Sequence, residues 1–563
     1  ENDISFLAPA PLEASAAFIG PTVKGPVEIP TIVTSYSQYQ RKFGVTFTSG
    51  SNPYEYFTSL AVKSFFNQGG ESALITRVVP NADAFTPANS GVLSSGSELA
   101  FTLTTQGSGK IYNNDGAEYP GGSLVSGSED SIRWEVVNVD ETKGTFSLII
   151  RRGDDNHKNK IILETFNNIS LDPNSPNYIE AVVGTQRKAK TVDVDGSIYI
   201  ETEGEYRNGS NYVYVSSVNL KTLNYLGIDG VTPGSGSDGT PYKNYLPAAS
   251  SGSFSGATGD LFGTVPANYF SEIDATDTQG LTTGSYMDAI SILGNTDEYL
   301  FNMVVAPGLT YNMHANALDG IISLAESRGD AIAVIDLDGH GSSANTVKNI
   351  AASVNSSYTA TYWPWLQMQS ATGKDVWVPA STVLPGVYAF TDRSAAPWFA
   401  PAGLTRGGLS DVIQAERKVT TAQRNVLYAA NVNAIGTFPG AGIAIFGQKT
   451  LQKKQSALDR VNVRRLLIAL KKYIGDVART LVFEQNTIQT RNRFLASVNP
   501  YLESVQQRQG LYAFRVVMDE SNNTADVVDR NQLVGQIFLQ PAKTVEFIIL
   551  DFTIEPTGAT FGA

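Results

Sequence analysis

Hydrophobic and polar positions change rhythm several times along the 563 residues. Residues 1–24 show little periodicity and carry Pro9, Pro11 and Pro21, so they are expected to form a loop-like N-terminal arm. Within 25–80 the pattern tightens: EIPTIVTS predicts a short strand and SYSQYQRKFG a helical turn closing on Gly44. Tyr54, Phe57, Leu60, Ala61 and Phe65 recur at helical spacing up to Gly69 and Gly70, and SALITRVV predicts a buried strand. From 81 to 215, short runs such as LAFTLTT, SIRWEVVNV, GTFSLIIRR and YVYVSSV alternate with Gly, Asn and Asp turns, predicting an inserted β-sandwich or barrel. Residues 229–260 are so rich in Gly and Ser that they are expected to be linker or surface loop. An α/β pattern then fills 216–400: strands at EYLFNMVVAPG and DAIAVIDLDG, with helices over 315–327 and 343–353. Past Pro397 a Gly/Pro-rich connector, APAGLTRGGLSD, leads into 401–542.

Two stretches near the end break from these patterns. Val463, Leu467, Leu470, Ile474, Val477 and Leu481 step by four and three, predicting a helix over 456–481 with one narrow apolar stripe. Arg464, Arg465, Lys471, Lys472 and Arg479 fall on the flank beside that stripe. A solvated face and a basic contact surface are both open readings of it. Asn499-Pro500 predicts the start of a further helix, running to Gly510. The last strand, KTVEFIILDFTIE over 543–555, is apolar on both faces: Val545, Phe547 and Ile549 on one, Ile548, Leu550, Phe552 and Ile554 on the other. With only PTGATFGA behind it, 543–563 reads either as an ordinary core strand or as a detachable strand for an exposed sheet edge.

Composition narrows the class. Hydrophobic residues at 42% and aromatic residues at 10% suit a soluble globular chain of several domains. Cysteine is absent, which removes disulfides and thiolate metal sites. No apolar run approaches the ~18–20 residues of a membrane span. The first residue is Glu1 rather than Met, so a trimmed, processed or incompletely represented start is expected. The net charge of −13 argues against direct nucleic-acid binding. Residues 449–493 nonetheless hold eleven basic and three acidic side chains, a local +8 that leaves −21 for the remainder.

Catalytic constellations are not assembled. GSGSDG (Gly234, Gly236, Gly239) fits a dinucleotide fingerprint only in spacing, with no strand before it or helix after it. DLDGHG (Asp336, Asp338, His340) resembles an acidic metal loop, but Val347 stands where a calcium loop needs glutamate. With His157, His314 and His340 alone, a histidine triad or metal centre has few members. No enzyme, cofactor or metal is therefore expected. A glycan- or calcium-binding surface protein or enzyme, with its site in 81–357, is the alternative reading.

Longer words point further. AAFIGPTVKGPVEIPTIVTSYSQYQRKFG and GGESALITRVV are followed by YWPWLQM, VWVPASTVLPGVYAFTDR, APWFAPAG and NVNAIGTFPGAGIAIFGQKTL. RTLVFEQNT, SVNPYLESVQQRQGLYAFRVVMDESNN and DRNQLVGQIFLQPAKTVEFIILDFTIEPTGA complete the series. In order and spacing over 17–80 and 358–560, these resemble the contractile tail sheath proteins of bacteriophages and related contractile injection systems. Two departures stand out: no proline-glycine-valine strand precedes Ala16, and Phe446 and Lys449 replace the family's tryptophan and arginine. The resemblance implies an α+β or α/β multidomain fold, with a core built from both chain ends, inserted outer domains and extended terminal arms. It implies a helical homopolymer knit by strand exchange, here through 543–554, around an inner tube that contraction drives through a cell envelope. Baseplate and tail terminator proteins would be further partners, and the place a virion tail or injection particle assembled in the bacterial cytoplasm. In that setting Arg464, Arg465, Lys471, Lys472 and Arg479 become candidates for facing the inner tube, with Lys453 and Arg460 as weaker ones.

Overall fold

The run Ala16-Ala17-Phe18-Ile19-Gly20 is apolar on both faces, as a strand covered on both sides must be. A computed structural model, which describes residues 12–49, 52–91, 93–95, 98–114, 128–261, 273–275 and 277–546, places it in the middle of an eight-stranded sheet. Ala16–Gly20 lies parallel to Ala73–Arg77 on one side and Met303–Thr310 on the other. Ile332–Asp336, Thr359–Trp363 and Asn433–Phe438 follow in order, all parallel. Thr31–Val33 and Gly442–Phe446 close the two edges antiparallel. Of the expected arm, residues 1–11 lie outside the described residues and the remainder is corrected: Leu12–Ala14 pairs with Tyr299–Phe301, and Ala16–Gly20 is core. Prolines on either side of a five-residue apolar strand gave it the look of a loop.

Side chains alternate across this sheet. Ala17, Ile19, Val304, Ala333 and Ile335 share one core with the helices Met287–Ile292, Tyr311–Arg328, Ala344–Ala351 and Thr421–Ala429. Phe18, on the opposite face, meets Phe65 of the helix Phe57–Asn67 edge-on at 5.6 Å. Tyr362 likewise shares a 2.6 Å hydrogen bond with Tyr388 of the helix Leu384–Ser394. The 401–411 connector covers the sheet edge, with Leu409 N donating to Ile443 O (3.0 Å) and Ile445 N to Gly407 O (2.8 Å).

The insert is a β-sandwich. One sheet runs Ile162–Ser170, Thr145–Arg152, Ile132–Asp140, Ser250–Ser253, and the other Val213–Val218, Glu98–Ser108, Pro87–Asn89. Phe101 and Phe146 stack between them at 5.6 Å. Buried Tyr242, Leu246 and Phe254 belong to the same core, so the sandwich extends past 215 and the 229–260 linker is overturned. Gly252 explains the disguise: a Cβ there would lie 2.4 Å from the Trp134 ring, so the strand can cross the indole only as glycine. Three polar clamps fix the insert to the sheet. Lys24 pairs with Asp130 at 3.0 Å; Arg77 Nη1 donates to Gly25 O and Ser108 O (2.6 and 2.7 Å); Lys190 bridges Glu28 and Asp288.

By contact density the chain divides into Glu1–Ala396 with Pro401–Val461, and a second unit of Pro397–Ala400 with Asn462–Ala563. The break expected at 400/401 therefore moves to 461/462, because Asn433–Phe438 and Gly442–Phe446 complete the large sheet. The second unit holds the helix Val461–Arg479 from Asn462 onward, the helix Ile488–Gln507, and an antiparallel pair, Leu511–Val517 with Gln536–Pro541. Trp398 donates from Nε1 to Arg508 O (3.0 Å) within it. The helix expected from Pro500 begins at Ile488 instead, capped by Thr487 Oγ1 accepting from Thr490 N. Phe494, Val498, Leu502 and Val505 form one buried stripe across Pro500, and their packing outweighs the proline's lost backbone bond.

Candidate functional site

The strand pair of the second unit is the surface best suited to assembly. Phe514 opposes Leu539 and Val516 opposes Ile537, a half-buried face, while Arg515 opposes Phe538 on an exposed one. Tyr512 and Phe538 leave more than half their surface in water. Among the described residues no third strand joins either edge, although Tyr512 O already accepts from Gln506 Nε2 (2.9 Å). A two-stranded ribbon is marginal by itself, and side chains brace its long turn. Asn523 Nδ2 donates to Asp519 O (3.1 Å) and Val534 O (2.8 Å), and its Oδ1 accepts from Val534 N (2.9 Å). Asn486 Nδ2 donates to Gln532 O (2.8 Å), and Arg491 Nε holds Asn486 Oδ1 (2.8 Å). Asp519, accepting from the Ser521 side chain and N–H, is held below the usual carboxylate range. The word MDESNN thus encodes the brace, a role that sequence reasoning missed although the asparagine pair was in view.

Beyond Pro541 the chain leaves the ribbon. Lys543–Glu546 have no regular secondary structure, so the strand expected from Lys543 does not start there, and Val545 is 79% exposed. Phe547, Ile548, Ile549, Leu550, Phe552 and Ile554 lie outside the described residues.

The basic helix divides along its length. Val461–Leu466 are buried on every side, and Arg464 and Arg465 retain 4% exposure each, which corrects their expected place on an outward flank. A stripe argument assumes one buried side, and the first turns of this helix are covered all round. Lys471, Lys472 and Arg479, on the later turns, are exposed as expected. Lys453 and Arg460 are engaged in the first unit. Lys453 Nζ donates to Ala352 O; Arg460 pairs with Asp459 at 3.0 Å and donates to Tyr428 Oη. Lys449 donates to Tyr428 O (2.8 Å), a cation at the end of the helix Thr421–Ala429.

The remaining motifs are structural. Asp336 is buried at a strand end, where burial pushes its carboxyl up to about 7 and Ser381 N is bonded to Oδ1 (3.1 Å). Asp338 Oδ1 accepts from Asn312 Nδ2 and Gly339 N, closing the loop on itself. Among the described residues no group of three His, Cys, Asp or Glu side chains could hold a metal, and no helix is long and apolar enough to cross a membrane. GSGSDG forms a turn, with Gly236 N bonded to Thr240 O (2.9 Å).

Residues 279–451, which supply most of the large sheet, match the phage tail sheath protein central domain, and residues 453–555 match the phage tail sheath C-terminal domain. The chain thus carries segments similar to both phage tail sheath domains. The ribbon and the basic helix both fall inside its sheath C-terminal domain. The tail sheath protein of Vibrio phage KVP40 is 40% identical over 195 residues, 35% of this chain and 29% of that protein. The tail sheath protein of Enterobacteria phage T4 is 38% identical over 185 residues, 33% and 28% of the two chains. The match thus spans under a third of these sheath relatives. The fold follows a sheath tail protein of Listeria innocua over 94% of this chain and 96% of that one, with a TM-score of 0.54 at 9% identity.

Proposed function

We infer that this chain is the structural subunit of a contractile sheath, polymerising helically around an inner tube and shortening to drive that tube through a target envelope. The open-edged ribbon inside the matched C-terminal domain carries the reading. A strand from a neighbouring copy would add about six backbone bonds at ~0.5–1.5 kcal/mol net each, with side-chain burial besides. The two-faced apolar segment 543–554 has the pattern of such a strand. Repeated head-to-tail contacts of this kind build an open helix where the rotation does not close. Lys471, Lys472 and Arg479 face the inner tube in this reading, through pairs worth ~0–1 kcal/mol each that contraction can break. Baseplate and tail terminator proteins are the partners at the two ends, and the tail of a virion or an injection particle is the place of action.

Electron microscopy of the full chain tests this, with striated tubes as the expected product. Deleting 551–563 should leave a folded subunit that no longer polymerises. Tubes of normal length from the truncated chain would show that the terminal segment is not the connector.

A further inference from the structure

Between the two long helices of the second unit, a tight turn holds apolar side chains out in water. Phe483 is fully exposed, and Val482 and Ile488 are more than half exposed. Phe483 also has φ of 69°, the left-handed region that disfavours bulky side chains. The turn is nevertheless well anchored. Leu481 N is bonded to Ala478 O (3.0 Å) and Glu484 N to Leu481 O (3.1 Å), while Leu481 itself is buried. Asn486, gripped by Arg491, ties the far end to the ribbon turn. An ordered turn that presents an aromatic ring to solvent has the form of a binding anchor, because docking then has little ordering entropy to overcome.

Charge around the turn defines what it fits. The helix leading into it exposes Lys471, Lys472 and Arg479 against one exposed acid, Asp476, and Lys472 and Arg479 lie two turns apart on one face. The one acid within 480–487, Glu484, lies 3.7 Å from Arg493. Complementarity therefore calls for an apolar depression bordered by carboxylates.

We propose that Phe483, flanked by Val482, is the apolar anchor of the inner-tube contact, seated in a tube depression with an acidic rim. This rests on the tube-facing reading of the basic helix and adds to it the group that supplies most of the grip.

The test uses the full chain with cognate tail tubes stripped of sheath, scored by co-sedimentation, beside polymerisation without tubes. Phe483→Asn removes the ring and keeps a residue tolerant of left-handed backbone. Its affinity for tubes should fall about 30-fold at low and high salt, with melting and tube-free polymerisation unchanged. Lys471→Glu with Lys472→Glu should weaken binding mainly at low salt. If the charge reversal weakens binding and Phe483→Asn does not, the tube reading stands and the anchor is refuted. Loss of tube-free polymerisation in Phe483→Asn would assign the turn to a second copy of this chain and overturn the proposal. A parent chain that polymerises yet ignores tubes would overturn the tube reading and the anchor together.

Discussion

Asn523→Ala isolates the brace beneath the ribbon. Asn523 is almost fully buried, and three of its side-chain hydrogen bonds tie Asp519 O, Val534 O and Val534 N across the turn. At ~0.5–1.5 kcal/mol each the substitution removes about 2–3 kcal/mol from a two-stranded element with little stability to spare. Ribbon opening should become about 30- to 150-fold more frequent. Hydrogen exchange reads this directly: amides of Leu511–Val517 and Gln536–Pro541 should lose protection by that factor while those of Ala16–Gly20 keep theirs. Polymerisation should be lost in parallel, because a ribbon that is open has no edge to offer. Asn523→Asp, which sets a buried carboxylate oxygen against the Asp519 and Val534 carbonyls, should loosen the ribbon at least as much. Unchanged exchange in the ribbon would refute the brace. Loosened exchange with normal polymerisation would refute the ribbon as the receiving surface.

Two further perturbations address the first unit. Asp336 has its pKa raised to about 7 by burial, so between about pH 4 and 7 the unfolded chain has released a proton that the folded one keeps, and stability falls as pH rises through that window. Asp336→Asn should remove this decline, its melting advantage growing from about pH 4 to 7 and then levelling; a pH-independent difference would rule out the burial account. Asp155 joins Arg133 (2.9 Å) and Arg151 (2.7 Å), all three fully buried, so Asp155→Ala takes a carboxylate from both guanidinium groups and leaves Arg151 its pair with Glu135 (3.0 Å). A loss of about 3–5 kcal/mol by denaturant titration is expected, and one below about 1 kcal/mol would show that other partners carry those charges.

The parallel sheet was legible where strands were long and apolar on both faces, as in Ile332–Asp336, and the sandwich where alternation was regular, as in Thr145–Arg152. Ser250–Ser253 escaped because Trp134 supplies the apolar surface that the strand itself lacks. Pro500 misled because local preference marked a helix start where a continuous stripe of tertiary contacts prevails. The basic helix was half legible: periodicity located it, but periodicity says nothing of how many sides are covered, which separates Arg464 and Arg465 from Lys471 and Lys472. The Phe483 turn carried a weaker signal still, since an apolar residue in a short loop reads as easily as core as surface.

Lys24 on Asp130 and Arg77 on Ser108 tie the sandwich to its sheet, and Lys190 on Glu28 and Asp288 ties down the hairpin that projects from it. The insert is therefore a pointer whose angle is that of the sheet. Ile228, wholly exposed on a loop whose neighbour Tyr225 is rooted in the sandwich core, is a natural place for a probe. Because the chain has no cysteine, Ile228→Cys would carry a single label. If the chain polymerises as proposed, distances between such labels on adjacent copies would follow the turning of each sheet within the polymer.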